Sequence, residues 1–259
     1  TTTSALVTAF RADGRRVGVL AVDPSSPFSG GALLGDRVRM QQHATDPGVY
    51  IRSMATRGHL GGLAWATPQA LRVLDAAGCD VVIVETVGVG QSEVEVAALA
   101  DTTLVLLAPG MGDGIQAAKA GILEVGDVFV VNKADREGAD RTAAADQHAL
   151  DLRSTIRLAE RQPGDWREPI VKTVAVRGEG MAELIEAIDK HRDWMERSGE
   201  LARRRRRRVR DEIEAIAATA LRRRFGDVHG DARLDVLAEK VLTGELDPYA
   251  AADEIIEAL

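Results

Sequence analysis

Short, almost unbroken apolar runs alternate along this chain with stretches of helical periodicity. The pattern predicts strands at residues 17–22, 81–84, 103–108, 128–132 and 170–174. It predicts helices at 2–13, 68–77, 94–100, 116–124, 143–160 and 181–196. A strand that is apolar on both faces must be covered on both faces, which is the condition of a parallel sheet between layers of helix. Strand and helix taken in turn therefore predict an α/β fold with a doubly wound, mostly parallel sheet. Aromatic residues make up only 3% of the chain, so its core has to be built from Val, Ile, Leu and Ala.

The pattern changes near Ser198 and Gly199, after which the chain reads as helix only. Val209, Ile213, Ile216 and Ala220 fall on one face of an amphipathic helix. Two short helices are expected behind it, at 233–242 and 248–258. The expected organisation is a sheet-bearing domain over residues 1–197 and a helical arm over 198–259, used for dimerisation or partner contact. The arginine run 203–208 points around every side of a helix and forms no stripe, and Asp211, Glu212 and Glu214 follow within a turn to pair with it. With a net charge of −7, nucleic acid is not expected as a partner. No apolar run is long enough to suggest a membrane span. Cys79 is the single cysteine, which fits a reducing compartment and a cytoplasmic protein.

Chemistry concentrates at strand ends. Asn132-Lys133-Ala134-Asp135 directly follows the apolar run 128–131, at the carboxyl end of a strand, where open α/β sheets bind ligands. A guanine presents N1–H and N2–H2 as adjacent donors, and one carboxylate, that of Asp135, can accept both. Adenine offers no such pair and would leave Asp135 unpaired.

A second strand delivers Glu85 to its end, and Gly88 follows in the run Glu85-Thr86-Val87-Gly88-Val89-Gly90-Gln91-Ser92. An acidic residue followed by x-x-Gly can hold Mg²⁺ directly or through water, while the glycine N–H meets a γ-phosphate. Asp23, in Val22-Asp23-Pro24-Ser25-Ser26, and Asp36 supply further oxygen donors of the kind Mg²⁺ prefers. Gln91 is a candidate for positioning water. Val174 and Ala175 end the last strand, at a position similar to that where G proteins carry a Ser-Ala-type base contact; Val174 stands in place of the usual Ser, so the resemblance implies only a backbone N–H contact with guanine O6. The five histidines, His43, His59, His148, His191 and His229, show no ligand spacing and read as structural or exposed.

Thr1-Thr2-Thr3-Ser4 runs straight into a helical pattern and then a strand, as residues following the lysine of a G-x-x-x-x-G-K-[ST] phosphate loop do. That motif is absent from the sequence, so the first strand and most of the loop are expected upstream, with Thr1 and Thr2 beside the nucleotide.

Together, V-D-P-S-S, G-G-x-L-L-G-D-R-V-R-M, E-T-V-G-V-G-Q-S-E and N-K-A-D closely resemble the MeaB-type G protein family, from Thr1 to Leu259. These are P-loop GTPases of the SIMIBI-like class, chaperones of methylmalonyl-CoA mutase that are also described as arginine/ornithine transport ATPases or kinases. The resemblance implies binding of GTP, GDP and Mg²⁺, and slow hydrolysis stimulated by an adenosylcobalamin-dependent acyl-CoA mutase. It implies a homodimer built through C-terminal helices, and a nucleotide state that gates cofactor delivery and protects the mutase. Asp23, Asp36 and Glu85 match the family's acids around Mg²⁺ and the γ-phosphate, and Asn132, Lys133 and Asp135 match its base-recognition motif. Residues 110–119 match a loop that responds to the mutase, with Gln116 and Lys119 as contacts.

Three other functions compete with this one. A metal-inserting GTPase of the same broad class would use Cys and His as metal carriers, and this chain has few. A transport-linked kinase would need a phosphoacceptor-binding domain that the sequence does not suggest. A non-catalytic dimeric scaffold follows if the phosphate loop is truly absent.

Overall fold

The computed structural model describes residues 1–24, 40–56, 66–86, 98–109, 125–137, 139–140, 164–225 and 232–257. In chain order the elements are α1 (Thr2–Ala12), β1 (Val17–Pro24), β2 (Val49–Thr56), α2 (Ala66–Ala76), β3 (Val81–Thr86), β4 (Leu104–Leu107), β5 (Val128–Asn132) and β6 (Ile170–Thr173). Helices α3 (Met181–Ser198), α4 (Glu200–Phe225), α5 (Ala232–Leu242) and α6 (Pro248–Glu257) complete the chain, with 3₁₀ turns at Gln41–His43 and Ala175–Arg177. The chain separates into two compact units, Thr1–Ala202 and Arg203–Leu259.

Every strand pairing in the first unit is parallel, in the orders β2-β1-β3 and β4-β5-β6. The middle strands carry the burial. Val17, Val19, Leu20 and Ala21 of β1 and Val128, Phe129, Val130 and Val131 of β5 are wholly inaccessible. Helix α1 lays Leu6, Val7 and Phe10 onto this surface, and α3 adds Met181, Leu184 and Ile185 to the same cluster. Residues i, i+1 and i+4 lie on one face of a helix, which is why α1 can bury three large side chains while its other side stays wet. Each such burial contributes about 1.5–3 kcal/mol. On α2, Leu74 sits so close to β1 that a β-carbon at Gly18 would meet its Cδ1 at 2.8 Å.

Ion pairs fix α1 at its far end. Arg11 donates through Nε and Nη2 to both oxygens of Asp46, at 2.8 and 3.0 Å. Asp46 also accepts from the Gly48 N–H at 2.7 Å. The Arg11 guanidinium lies where a β-carbon of residue 48 would be, 2.2 Å from its Cζ, so a side chain at Gly48 would have to displace that guanidinium from Asp46. Arg15 forks onto Asp189 of α3 at 2.9 and 2.7 Å.

A polar cluster is built into the start of β5. His191 of α3 is fully buried. Its Nδ1 lies 2.8 Å from the Thr102 hydroxyl, and its ring stacks on Trp194 and packs against Trp166. Asp127 accepts from the Thr103 N–H through Oδ2 at 2.8 Å, and its carbonyl accepts from Trp166 Nε1. His43 is also buried, with its Nε2 3.1 Å from the Ser4 hydroxyl.

In the second unit, Leu237 packs with Ala251 and Ile255, flanked by Val241 and Leu246. Asp247 caps α6 by accepting from the N–H groups of Tyr249 and Ala250 at 2.8 and 3.1 Å, with Pro248 in the first helical position. Val209, Ile213, Ile216 and Leu221 of α4 are exposed. Among the described residues no helix is long and apolar enough to cross a membrane.

Strand β2 is not among the strands the apolar runs predict. It is an edge strand in which Val49 and Ile51 turn to the core while Tyr50 and Arg52 face out, so its signal is alternation. The expected helices at 116–124 and 143–160 lie outside the described residues, as does 94–100 apart from its last three residues.

Candidate functional site

The carboxyl end of β5 is tied to two other elements by one side chain. Asn132 Oδ1 accepts from the Thr173 hydroxyl at 3.2 Å and from the Ala175 N–H at 3.1 Å. Its Nδ2 donates to the Thr2 hydroxyl at 3.2 Å. Strand β6, the turn after it and the first turn of α1 are thereby held around the strand end. Thr2 is buried, and the Thr1 carbonyl accepts the Ala5 N–H of the first turn.

Lys133 then leaves the strand with φ 58°, the single non-glycine residue in the left-handed region among the described residues. Such a conformation costs a residue with a β-carbon about 1–2 kcal/mol, and it persists because the surroundings hold it. Ala134 N–H donates to the Thr173 carbonyl, and Arg136 N–H closes the turn onto the Lys133 carbonyl. The turn carries Asp135 out beyond β5 next to the turn that follows β6.

Asp135 Oδ2 accepts from Arg177 Nη1 at 3.0 Å. Arg177 is itself gripped by Glu179, with Nε–Oε1 at 2.6 Å and Nη2–Oε2 at 3.2 Å. The guanidinium between two carboxylates has its pKa raised, chiefly by Glu179 and then by Asp135. The same hydrogen bond holds the Glu179 carboxyl below its usual range. The backbone here turns through two left-handed glycines, Gly178 at φ 72° and Gly180 at φ 77°. A β-carbon at Gly180 would lie 2.2 Å from the Lys172 carbonyl oxygen, so that turn also requires glycine for space.

Val174 and Ala175 directly follow β6, and their N–H groups are already in use. Val174 donates to the Glu179 carbonyl at 3.0 Å and Ala175 to Asn132. Either would have to be shared or exchanged to meet a ligand.

Two of the three predicted acids fall at the same end of neighbouring strands. Ala21 of β1 is paired with Glu85 of β3, and Asp23 lies one residue past Val22, the partner of Thr86. Adjacent strands run about 4.8 Å apart, so the backbone brings two carboxylate-bearing positions together. Aspartate and glutamate are oxygen donors of the type a hard divalent cation prefers. Glu85 is half-buried. Asp36, Gly88, Gln91, Gln116 and Lys119 lie outside the described residues. Reading the motifs alone missed Arg177 and Glu179; their signal was a pair of opposite charges flanking a glycine just beyond the last strand.

The sequence matches the family model described as methylmalonyl Co-A mutase-associated GTPase MeaB over residues 1–228. It is 50% identical to a Pyrococcus abyssi protein whose name classes it with the GTPases, across 98% of this chain and 77% of that one. It is 36% identical to the mitochondrial methylmalonic aciduria type A homolog of Mus musculus, across 95% of this chain and 59% of that one. Among solved structures, one described as an LAO/AO transport system kinase superposes with a TM-score of 0.67 at 25% identity, covering 99% of this chain and 76% of that one.

Proposed function

This chain belongs to the MeaB family of methylmalonyl-CoA mutase-associated GTPases, and we propose that it binds and hydrolyses GTP to gate adenosylcobalamin delivery to a B12-dependent acyl-CoA mutase. The observation that carries this reading is the strand end at β5. Asn132 locks three elements together, Lys133 takes the strained turn, and Asp135 follows at the carboxyl ends of parallel strands, where ligands of open α/β sheets bind.

In this reading Asp135 accepts N1–H and N2–H2 of guanine, and Asn132 and Lys133 hold the turn that aims it. The first turn of α1, with Thr1 and Thr2, lies beside the phosphates. Asp23 and Glu85, joined by Asp36, hold Mg²⁺, which when bound neutralises charge on the phosphates. Gln91 positions the attacking water for in-line displacement, in which geometry and charge compensation supply most of the catalysis. The Gly88 N–H meets the γ-phosphate and loses that contact on hydrolysis, which moves its loop. Residues 110–119, with Gln116 and Lys119, pass the change to the mutase. The exposed stripe of Val209, Ile213 and Ile216 on α4 gives the helical arm an apolar face with which to dimerise.

The test is nucleotide selectivity of hydrolysis by the intact protein. GTP turnover with Mg²⁺, faster in the presence of methylmalonyl-CoA mutase, is expected. Asp135→Asn should move the preference toward XTP, because an amide can donate to the C2 carbonyl of xanthine where a carboxylate cannot. Equal turnover of GTP and ATP, unchanged by Asp135→Asn, would overturn the reading.

A further inference from the structure

We propose that Arg177 is a positioning residue for base recognition: clamped by Glu179, its guanidinium fixes the Asp135 carboxylate in the orientation that reads guanine. The inference rests on the guanine reading of Asp135 above.

A guanidinium is planar, with its donors in a rigid fork. Two nitrogens of Arg177 engage both oxygens of Glu179, at 2.6 and 3.2 Å, and that fork sets the plane of the group. The third nitrogen, Nη1, is then aimed at Asp135 Oδ2, 3.0 Å away. Glu179 in turn is anchored by its own backbone, since its carbonyl accepts the Val174 N–H. The clamp is therefore rooted in the same turn that carries Val174 and Ala175, between the two left-handed glycines Gly178 and Gly180. Orientation passes from that turn to Glu179, to Arg177, and to Asp135 across a sequence separation of 42.

Arg177 supports base pairing here without blocking it. An ionised carboxylate has about four acceptor sites, and Nη1 takes one of them on Oδ2. The second site on Oδ2 and both on Oδ1 stay available for N1–H and N2–H2. A carboxylate on an exposed turn must otherwise give up rotational freedom when guanine arrives, and holding it beforehand removes that cost from binding. Arg177 and Glu179 touch no reacting atom, so their effect falls on recognition of the base rather than on cleavage.

The experiment compares GDP, IDP and ADP binding to the intact protein and to Arg177→Ala, Arg177→Lys, Glu179→Ala and Asp135→Ala. IDP lacks the N2 amine, so the ratio of GDP to IDP affinity reports on the two-point contact. Arg177→Ala should weaken GDP binding about five- to tenfold, the ordering cost of one side chain that the clamp otherwise removes. It should narrow the GDP/IDP ratio, leave ADP unchanged, and leave the unfolding midpoint close to that of the parent. Arg177→Lys should not restore the ratio, because an ammonium cannot fork onto Glu179 and still reach Asp135, and Glu179→Ala should reproduce part of the loss. A parent-like GDP/IDP ratio in both Arg177→Ala and Glu179→Ala would overturn the proposal. So would tighter GDP binding in Arg177→Ala, which would make the arginine a competitor for Asp135. Asp135→Ala separates the two levels. If it too binds GDP like the parent, the guanine reading itself fails; if it loses GDP while the arginine and glutamate variants keep the parent ratio, the clamp alone fails.

Discussion

The side-chain amide of Asn132 donates to the Thr2 hydroxyl across 3.2 Å, which makes the end of β5 and the first turn of α1 one hydrogen-bonded unit. The same amide accepts from Thr173 and Ala175. Asn132→Ala removes all of these bonds at a half-buried position, and a loss of about 1–3 kcal/mol in denaturant unfolding is expected. Thr2→Val removes only the link to α1, and its loss should be smaller, near 1 kcal/mol. Equal losses in the two variants would mean that the bonds to β6 and Ala175 contribute nothing.

Lys133 separates backbone strain from side-chain function. Lys133→Ala keeps a β-carbon in the left-handed conformation at φ 58°, whereas Lys133→Gly does not. Both lose the same side chain beyond the β-carbon. Lys133→Gly should therefore be the more stable of the two by about 1 kcal/mol, measured as the difference in unfolding free energy. A Lys133→Ala variant as stable as Lys133→Gly would show that the turn carries no such strain.

The two glycines of the turn after β6 should respond differently to the same substitution. At Gly178 an added β-carbon meets open space, so Gly178→Ala carries only the conformational penalty of about 1–2 kcal/mol. At Gly180 it would collide with the Lys172 carbonyl oxygen and press on the Cα of Thr173, both backbone atoms that cannot step aside. Gly180→Ala should fall several kcal/mol below Gly178→Ala in thermal or chemical unfolding, since strain and overpacking add. Similar stabilities would contradict the register of Gly180 against β6.

Acid should weaken the anchor between α1 and β2. Asp46 lies below its ordinary pKa of 3.8, held there first by the Arg11 guanidinium and then by the Gly48 N–H. The folded state thus releases this proton more readily than the unfolded chain does. The stability it contributes is complete above the ordinary value and is lost as pH falls through the lower, folded value. Arg11→Gln raises the folded pKa toward the unfolded one, so its stability should decline less steeply than the parent's as the pH falls below the ordinary carboxylate value. Parallel stability curves for parent and variant would contradict the assignment.

Much of the sheet is legible in the sequence because most of its strands are short, nearly continuous apolar runs. Residues 17–22, 81–84 and 128–132 read directly as strands, and the base-recognition motif falls at the end of β5 for the same reason. Strand β2 escapes that reading because Arg52 and Ser53 interrupt it, and only its alternation of Val49 and Ile51 with Tyr50 and Arg52 betrays an edge. The Arg177–Asp135 pair escapes for a different reason. Its members are neighbours only after β5 and β6 have paired, and no spacing in the chain announces them. The cluster of Thr102, Asp127 and His191 is likewise assembled by packing, which brings a helix of the last third of the chain onto the start of β5.

The central claim is that Asp135 selects a guanine base, and titration calorimetry of GDP and ADP, with Mg²⁺, on the intact protein tests it most directly. The account predicts GDP bound at least about tenfold more tightly than ADP, a gap of about 1.4 kcal/mol, with the preference abolished by Asp135→Ala. Equal affinities for GDP and ADP, or a preference that survives Asp135→Ala, would contradict it.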